Sequence, residues 1–269
     1  MTQYDAVTPD LGGFAAFRQL TGGCLRPGGL EGTRQGLGLS GLQPPARILD
    51  VGCGAGTSLA FLQEQGFTCL GLDISLPLLG EAQKHGPVAQ AEATCLPVPS
   101  ATVDGLFCEC VLSLVEDKAK MLTEFARVLS QGGWLILSDV TMLEQLQNHC
   151  GAGTPTLSCG ALRPCTGSEL RSIIQKAGLF LRAEVDLSHS LKVLAAQIVW
   201  HYGSTKAFWQ LWQGYGEEQA SAATAFCPTP QNITSKSHGY TLFVAQKKSN
   251  NKSNKANLPK GGIPWTKPR

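Results

Sequence analysis

Residues 49–57 read Leu-Asp-Val-Gly-Cys-Gly-Ala-Gly-Thr, a glycine-rich turn that directly follows an apolar run. The run at 46–51 has the length and apolar content of a buried parallel strand, and residues 57–62 restart the chain as a helix. The glycines therefore lie in a strand-to-helix turn, where glycine permits positive φ and leaves the main chain open to a ligand. A second acid, Asp73, ends the next apolar run. Together these two features predict a cofactor that contains a nucleoside.

The spacing of the glycines separates two classes of cofactor. A dinucleotide-binding turn reads G-x-G-x-x-G, and here Thr57 stands where the third glycine would be. Asp50, two residues before the first glycine, places a negative charge where a dinucleotide would bring its pyrophosphate. The same charge suits a cationic amino-acid group, such as that of the methionine part of S-adenosylmethionine. A nicotinamide-dependent oxidoreductase is therefore the least favoured interpretation.

Four short motifs occur in a fixed order within about a hundred residues. They are Leu49-Asp50-Val51-Gly52-Cys53-Gly54-Ala55-Gly56, Gly71-Leu72-Asp73-Ile74-Ser75, Glu92-Ala93-Thr94-Cys95-Leu96-Pro97 and Arg127-Val128-Leu129-Ser130-Gln131-Gly132-Gly133. With these motifs, residues 46 to about 140 resemble the core of class I S-adenosylmethionine-dependent methyltransferases. They are most similar to the small-molecule group that includes ubiquinone and menaquinone biosynthesis enzymes. The one departure is Glu92, which stands where that family has Asp.

This resemblance implies both a fold and a cofactor site. The implied fold is α/β: a Rossmann-like, doubly wound, mostly parallel seven-stranded sheet with a helical insertion near the C-terminus. In that family the second acid holds the ribose hydroxyls, which assigns this role to Asp73, and the third motif's acid, here Glu92, reaches the adenine amino group. Arg26 precedes the first strand and is expected to pair with the methionine carboxylate; the alternative is a surface arginine. The full set of cofactor-binding candidates is Asp50, Gly52, Cys53, Gly54, Gly56, Asp73, Ile74, Glu92, Ala93, Cys108 and Arg26.

The length of 269 residues is compatible with one α/β domain that carries an insertion. We predict an N-terminal cap at 1–45, the methyltransferase domain at 46–246 with a lid-like insertion at 141–235, and a disordered basic tail at 247–269. The tail has seven bases and no acid, which leaves 15 of the 22 bases against all 20 acids in the body. Attraction of the tail to nucleic acid is one interpretation. Because the body shows no basic stripe, we expect a solvated terminus and no nucleic-acid partner.

Hydrophobic periodicity predicts alternating strands and helices. The predicted strands are 46–51, a run ending at 73, 88–91, 103–111, 134–140 and 239–246. The predicted helices are 30–39, 57 to about 66, 73–84, 117–129, 142–148 and 166–178. Ten glycines between 11 and 41 argue against a regular helix throughout that segment. Two aromatic-rich helices, near 191–202 and 208–215, would form a lid or a surface for a protein partner, or they simply pack against each other.

Most of the ten cysteines are expected to be reduced. Cys53, Cys69, Cys95 and Cys108 lie on or beside predicted core strands, where a thiol acts as a small apolar group. Cys150, Cys159 and Cys165 are spaced too irregularly for a zinc knuckle, so no metal is predicted. The chain has no long apolar run and no signal-peptide pattern, so we expect a cytoplasmic protein without membrane contact.

Methyl transfer requires a donor and an acceptor held in line. The candidates for acceptor-side chemistry are Cys108, Glu109 and Cys110 at the end of the fourth strand, where strand alternation places the two cysteines on one face and Glu109 on the other. The turn at 112–114 holds no histidine, so the catalytic base stays unassigned.

The expected activity is transfer of a methyl group to a small-molecule acceptor. A first alternative is a thiol or arsenite acceptor, because Cys159 and the Gly-Ala-Leu after it faintly resemble arsenite methyltransferases. That acceptor would be held by Cys150, Cys159 or Cys165 with Cys108 or Cys110, and at least one of these thiols would have a lowered pKa. A second alternative is a non-catalytic module that binds S-adenosylmethionine and a protein partner.

Overall fold

The structure is a computed structural model that describes residues 11–143, 164–204, 208 and 238–249. The helices are α1 (Leu11–Leu20), α2 (Glu31–Leu39), α3 (Thr57–Glu64), α4 (Leu76–Ala82), α5 (Lys118–Val128), α6 (Gly167–Lys176) and α7 (Ser188–Tyr202). The strands are β1 (Arg47–Val51), β2 (Thr68–Asp73), β3 (Val88–Gln90), β4 (Val103–Glu109), β5 (Leu129–Met142), β6 (Leu179–Asp186) and β7 (His238–Lys247). A single 3-10 turn, Leu112–Leu114, follows β4.

The strands form one seven-stranded sheet in the order β3-β2-β1-β4-β5-β7-β6. The first five strands are parallel, and β7 runs antiparallel to both β5 and β6. From β1 the chain builds the sheet outward in one direction through β2 and β3, and then in the other direction from β4 onward, so the switch point lies at β1. In sheets of this kind ligands bind at such a switch point, beyond the carboxyl ends of the strands. The predicted α/β fold with a mostly parallel seven-stranded sheet is confirmed.

Two apolar cores lie on opposite faces of the sheet. One contains side chains of α5 and α6, including Leu122, Phe125 and Ile174, all fully buried. The other contains Leu59 and Leu62 of α3 with side chains of β1, β4, β5 and β7. The sheet is therefore covered by helices on both faces, which is why its strands read as continuous apolar runs in the sequence.

The amino-terminal segment is not one regular helix, as expected, and the predicted helix at 30–39 is α2, but the segment also contains a helix that was not predicted. Residues 11–20 form α1 in spite of two adjacent glycines. Phe17 of α1 is buried in a small core with Leu194 and Ile198 of α7 and with Phe208. Tertiary packing of this face outweighs the low helix propensity of glycine.

The carboxyl-terminal half also differs in three respects. β5 runs from Leu129 to Met142, so Met142 is in a strand and not at the start of a helix; residues 144–148 of that predicted helix lie outside the described residues. The predicted insertion 141–235 contains the edge strand β6, which is part of the sheet, and α6, which packs on one face of the sheet, so neither element is a lid. Lys247 falls in the predicted basic tail, but it ends β7, and its Nζ donates to the carbonyls of Ala126 and Leu129 at 2.6 and 2.7 Å.

Other predictions for this half agree with the structure. The helix that follows Thr166 is α6, and it begins with the predicted capping box: Thr166 Oγ1 accepts from the Glu169 amide, and Glu169 Oε2 accepts from the Thr166 amide. The helix predicted near 191–202 is α7, which begins three residues earlier, at Ser188. Most of the helix predicted at 208–215 and residues 250–269 of the tail lie outside the described residues. No helix within the described ranges is both long and apolar enough to cross a membrane.

Candidate functional site

A cavity of about 590 Å³ lies where β1, β2 and β4 end. Its volume is in the range of small-molecule and cofactor sites. Its walls come from the amino-terminal segment, the glycine-rich turn, the residues after β2 and β3, and the turn after β4. The lining side chains that bear on the chemistry are Arg26, Ser58, Asp73, Ile74, Glu92, Glu109, Cys110, Glu116, Asp117 and Lys120.

The glycine-rich turn is shaped by main-chain contacts. The amides of Gly52 and Cys53 both donate to the carbonyl of Leu72, at 2.7 and 3.0 Å. Gly52 has φ +76, and a Cβ there would lie 2.1 Å from a methyl carbon of Val111. A Cβ on Gly54 would meet only Leu25, at 3.7 Å, so the main chain at Gly54 faces open space. The turn therefore brings bare backbone to the wall of the cavity, as the sequence predicted.

Gly56 has a different role from the one expected. It does not line the cavity; it caps α3, and a Cβ there would lie 2.9 Å from the Cα of Ala82 in α4. This glycine is needed for the close packing of two helices, which replaces the predicted contact with a cofactor. Cys53 does line the cavity, but its side chain packs with Leu79 and Ala82.

Asp73 ties the end of β2 to the glycine-rich turn. Its Oδ2 accepts from the Gly54 amide at 2.8 Å, and its Oδ1 accepts from the Ser75 amide at 2.9 Å. Burial raises the pKa of the Asp73 carboxyl, while these hydrogen bonds act in the opposite direction. Each carboxylate oxygen keeps a lone pair for a further donor. Asp73 is thus placed to accept from two neighbouring hydroxyl groups.

Beyond Asp73 the cavity is flanked by an apolar and a polar wall. Ile74 is half exposed and lines the cavity on the β2 side. Ala93 and the exposed Glu92 line it on the β3 side. Glu92 therefore presents a carboxylate to the cavity that can accept a hydrogen bond.

Arg26 is buried, so the interpretation as a surface arginine is wrong. Its Nη2 lies 3.0 Å from Glu109 Oε2 and donates to Thr33 Oγ1 at 2.6 Å and Ser58 Oγ at 2.9 Å. The guanidinium therefore joins the amino-terminal segment to α2, α3 and the end of β4. Its Nε has no hydrogen-bond partner, which leaves one buried donor for an anionic group in the cavity.

Asp50 is buried beside this arginine. It is 3% exposed, and its Oδ2 has no hydrogen-bond partner. Burial and the nearby Glu109 carboxylate raise the pKa of Asp50 to about 7. Asp50 does not itself line the cavity; the residues after it, Val51 and Gly52, do. It can therefore act on a bound cation through the electric field rather than through direct contact.

The cysteine predictions need correction. Cys108 is fully buried in the apolar core with Leu49 and does not line the cavity, so it contacts neither cofactor nor acceptor. Cys110 has φ +57, and this left-handed residue just after β4 breaks the strand alternation. Cys108 and Cys110 consequently face opposite sides of the sheet, and Cys110 contacts Tyr240 Oη at 3.6 Å.

None of the described candidate thiols supports a soft acceptor. Burial raises the pKa of Cys108, Cys110 and Cys165, the opposite of the predicted lowering. Cys165 lines a separate surface groove between α5 and α6. Cys150 and Cys159 lie outside the described residues. Within the described ranges no group of three or more Cys, His, Asp or Glu side chains is arranged to hold a metal ion.

The other cysteines agree in part with the expectation. Cys53 and Cys69 are buried and their pKa values are raised by burial, as befits small apolar core groups. Cys95 is exposed, because it lies in the turn after β3 and not in the core. The seven cysteines that the structure describes are all free thiols.

Several lining residues were missed from the sequence. Cys24 and Leu25 come from the glycine-rich amino-terminal segment, and Val111, Leu114 and Val115 come from the turn after β4. That turn is fixed by Asp139 of β5, whose Oδ2 accepts from the Ser113 amide at 2.9 Å. Asp139 is fully buried, and burial raises its pKa. An acid inside an otherwise apolar strand was the one sequence signal for this anchor.

Comparison with known proteins agrees with this geometry. Residues 49–137 match the family model described as "Methyltransferase domain". This match agrees, over that part of the chain, with the resemblance to class I S-adenosylmethionine-dependent methyltransferases. The matched region runs from the glycine-rich turn to β5 and includes the β1, β2 and β4 ends that border the cavity.

Individual relatives are more distant. A phosphoethanolamine N-methyltransferase of Triticum aestivum is 26% identical over 211 residues, which is 72% of this chain and 40% of that protein. A ubiquinone biosynthesis O-methyltransferase of Paracidovorax citrulli is 33% identical over 113 residues, 38% of this chain and 47% of that protein. The chain thus spans less than half the length of either protein.

Among solved structures, Haemonchus contortus phosphoethanolamine N-methyltransferase 2 in complex with phosphomonomethylethanolamine and S-adenosylhomocysteine superposes with a TM-score of 0.66. The identity is 18%, and the match covers 92% of this chain and 58% of that one. At this identity the superposition establishes a shared fold.

Proposed function

We propose that this chain binds S-adenosylmethionine in the cavity at the ends of β1, β2 and β4 and transfers its methyl group to a small-molecule acceptor. The observation that carries the proposal is the arrangement around the glycine-rich turn. The open backbone at Gly54 lies between an acid suited to a ribose diol, Asp73, and a buried arginine with an unpaired donor, Arg26.

The buried polar atoms fit the methionine end of the cofactor. The unpartnered Arg26 Nε would donate to a carboxylate, and the unpaired negative charge of Asp50 would stabilise an ammonium group or a sulfonium centre. Asp73 would accept from the ribose hydroxyls, and Glu92 from the adenine amine. Each of these residues would then face the polar group of the cofactor that its chemistry suits.

S-adenosylmethionine supplies an electrophilic methyl group on a positively charged sulfur. The chain's contribution to transfer is to hold that group and the acceptor in line and to exclude water. Val111, Leu114 and Val115 give the cavity an apolar wall beside Glu109 and Cys110. This wall would orient the acceptor rather than react with it.

The described lining residues offer no histidine as a base. Glu109 is the carboxylate at the end of β4, but Arg26 and the hydroxyl groups of Thr33 and Ser138 occupy its oxygens. A group engaged in this way is better suited to positioning than to proton transfer. We therefore favour an acceptor that needs little help in losing a proton, such as a neutral amine.

Titration calorimetry with S-adenosylmethionine tests the cofactor assignment. A Gly54→Arg substitution would fill the space that Gly54 leaves open and should abolish binding. Gly38→Arg is the matched control, because Gly38 lies on the exposed side of α2, where a Cβ would meet no atom within 4 Å. Equal affinity in the wild type and both variants would remove the cavity as the cofactor site.

Turnover is then measured as release of S-adenosylhomocysteine with amine, hydroxyl and carboxylate acceptors. Amine acceptors are expected to give the highest rate. Binding without turnover on the whole set would favour the alternative of a non-catalytic binding module.

A further inference from the structure

Three charged side chains form one buried group beneath the cavity. This inner charge cluster consists of Arg26, Asp50 and Glu109, which are 7%, 3% and 7% exposed. Arg26 forms an ion pair with Glu109. Asp50 Oδ2 has no hydrogen-bond partner at all. The cluster thus contains two carboxyl groups and one cation, and the arginine forms an ion pair with only one of these carboxyl groups, Glu109.

The surroundings of Asp50 add almost no further positive charge. Several titratable groups interact electrostatically with Asp50. They are Arg26 and Cys24 of the amino-terminal segment, Glu109 and Cys108 of β4, Asp73 and Cys69 of β2, and Cys53 of the turn. Arg26 is the sole cation in this set. Burial raises the pKa of all four of these cysteines, so they stay neutral near neutral pH and do not exchange protons there.

A buried carboxylate without a donor or a cation of its own is expensive to keep ionised. This cost raises the pKa of Asp50: burial and the neighbouring Glu109 carboxylate together bring it to about 7, as expected for a buried carboxyl oxygen without a hydrogen-bond partner. A cation that enters the cavity next to Val51 and Gly52 would change this balance, because an opposite charge nearby favours the ionised form.

We propose that Asp50 holds a proton in the cofactor-free protein and releases it when the cationic methionine end of the cofactor binds, so that cofactor affinity depends on pH. This inference rests on the proposed function. It adds that the site exchanges a proton for a ligand charge, which keeps the inner charge cluster near neutrality in both states.

The direction of the pH effect follows from linkage. Where free Asp50 is protonated, binding has to expel a proton, so affinity falls as the pH falls below about 7, by up to about tenfold per pH unit. Above that pH free Asp50 is already ionised, and affinity becomes independent of this group. The same coupling means that the bound cofactor lowers the pKa of Asp50.

Calorimetry with S-adenosylmethionine is the direct test, because its sulfonium and ammonium groups together outweigh its carboxylate, and no methyl group is transferred when the acceptor is left out. Binding is measured at each pH in two buffers of different ionisation enthalpy, which gives the number of protons released. For the wild type we expect clear proton release below about pH 7 and almost none at roughly pH 8.5.

Two variants complete the experiment. Asp50→Asn has no carboxyl group to titrate and should bind without proton release. Glu64→Gln makes the same chemical change at an exposed position of α3 and should match the wild type. Proton release that persists in Asp50→Asn, or wild-type binding without any release, would overturn the linkage. A wild type that binds no S-adenosylmethionine would overturn the proposed function instead.

A second measurement covers the case in which Asp50→Asn does not fold. In the wild type, the carbon-13 shift of the Asp50 carboxyl should titrate with a midpoint near pH 7 and move to lower pH in the complex. A shift that stays constant between about pH 5.5 and 8 in the free protein would refute the proposal.

Discussion

The proposed cofactor-binding role of Asp73 gives a quantitative prediction. Both carboxylate oxygens already accept one backbone amide, from Gly54 and Ser75. An ionised carboxylate has about four acceptor sites, so one site on each oxygen remains for a ribose hydroxyl. Hydrogen bonds to a charged group contribute about 1.5–3 kcal/mol each.

Asp73→Ala should therefore weaken S-adenosylmethionine binding by about 1.5–3 kcal/mol, since two bonds to one group do not add fully. This corresponds to a rise in Kd of roughly 10- to 150-fold. The assay is calorimetric titration, with the thermal unfolding midpoint as a check on folding. The substitution also removes the anchor of the Gly54 amide, so some loss of stability accompanies the loss of affinity.

Asp186→Ala is a matched control for that structural effect. Asp186 ends β6 and accepts from the Ser188 amide at 2.8 Å, the same local bond that Asp73 makes with Ser75. It does not line the cavity. Cofactor affinity should be unchanged in Asp186→Ala. An unchanged Kd in a folded Asp73→Ala protein, or an equal loss in both variants, would refute the role of Asp73.

Three further predictions concern stability. Arg26→Met should lower the free energy of unfolding by about 3 kcal/mol, because Glu109 is left buried without its cation. Urea unfolding measures this change. A loss below about 1 kcal/mol would show that the ion pair between Arg26 and Glu109 does not stabilise the fold. Gly36→Ala should cost about 1–3 kcal/mol, because its Cβ would lie 2.3 Å from an isoleucine methyl of β5. Gly38→Ala, on the exposed side of the same helix, should be neutral or stabilising by up to about 1 kcal/mol, and the two midpoints are compared directly. In the cofactor-free protein, the raised pKa of Asp50 contributes stability that is complete below about pH 4 and is lost as the pH rises through about 7, on the order of 1 kcal/mol per pH unit. Urea unfolding at several pH values should show this slope in the wild type and a smaller one in Asp50→Asn; equal slopes would disprove the shift.

The order of strands and helices in the first half of the fold could be read from the sequence, because a buried parallel strand between amphipathic helices leaves a clear hydrophobic pattern. The positions of the glycine-rich turn and of Asp73 at the strand ends could also be predicted from the sequence, because the main-chain geometry there depends on a few residue types in a fixed order. β6 was missed, although residues 179–186 alternate between more and less exposed side chains. In the sequence these residues directly follow the helix predicted at 166–178, and their pattern can be taken for a continuation of that segment.

The interior of the site was harder to predict. The burial of Arg26 depends on contacts with residues 7, 32 and 83 positions later in the chain, and no local pattern reports such partners. The alternation rule failed at Cys110 because one residue with positive φ reverses the side-chain direction. Sequence therefore predicted which backbone would line the cavity, but not how the charges behind it are balanced.

The most direct test of the proposed activity is to incubate the chain with methyl-labelled S-adenosylmethionine and a metabolite extract freed of protein and nucleic acid. We expect labelled small molecules to form together with S-adenosylhomocysteine, and both products to fall sharply in the Asp73→Ala variant. Transfer of label at the same rate by Asp73→Ala, or failure of the wild type to bind S-adenosylmethionine even at about 1 mM, far above a typical KM, would contradict the proposed activity.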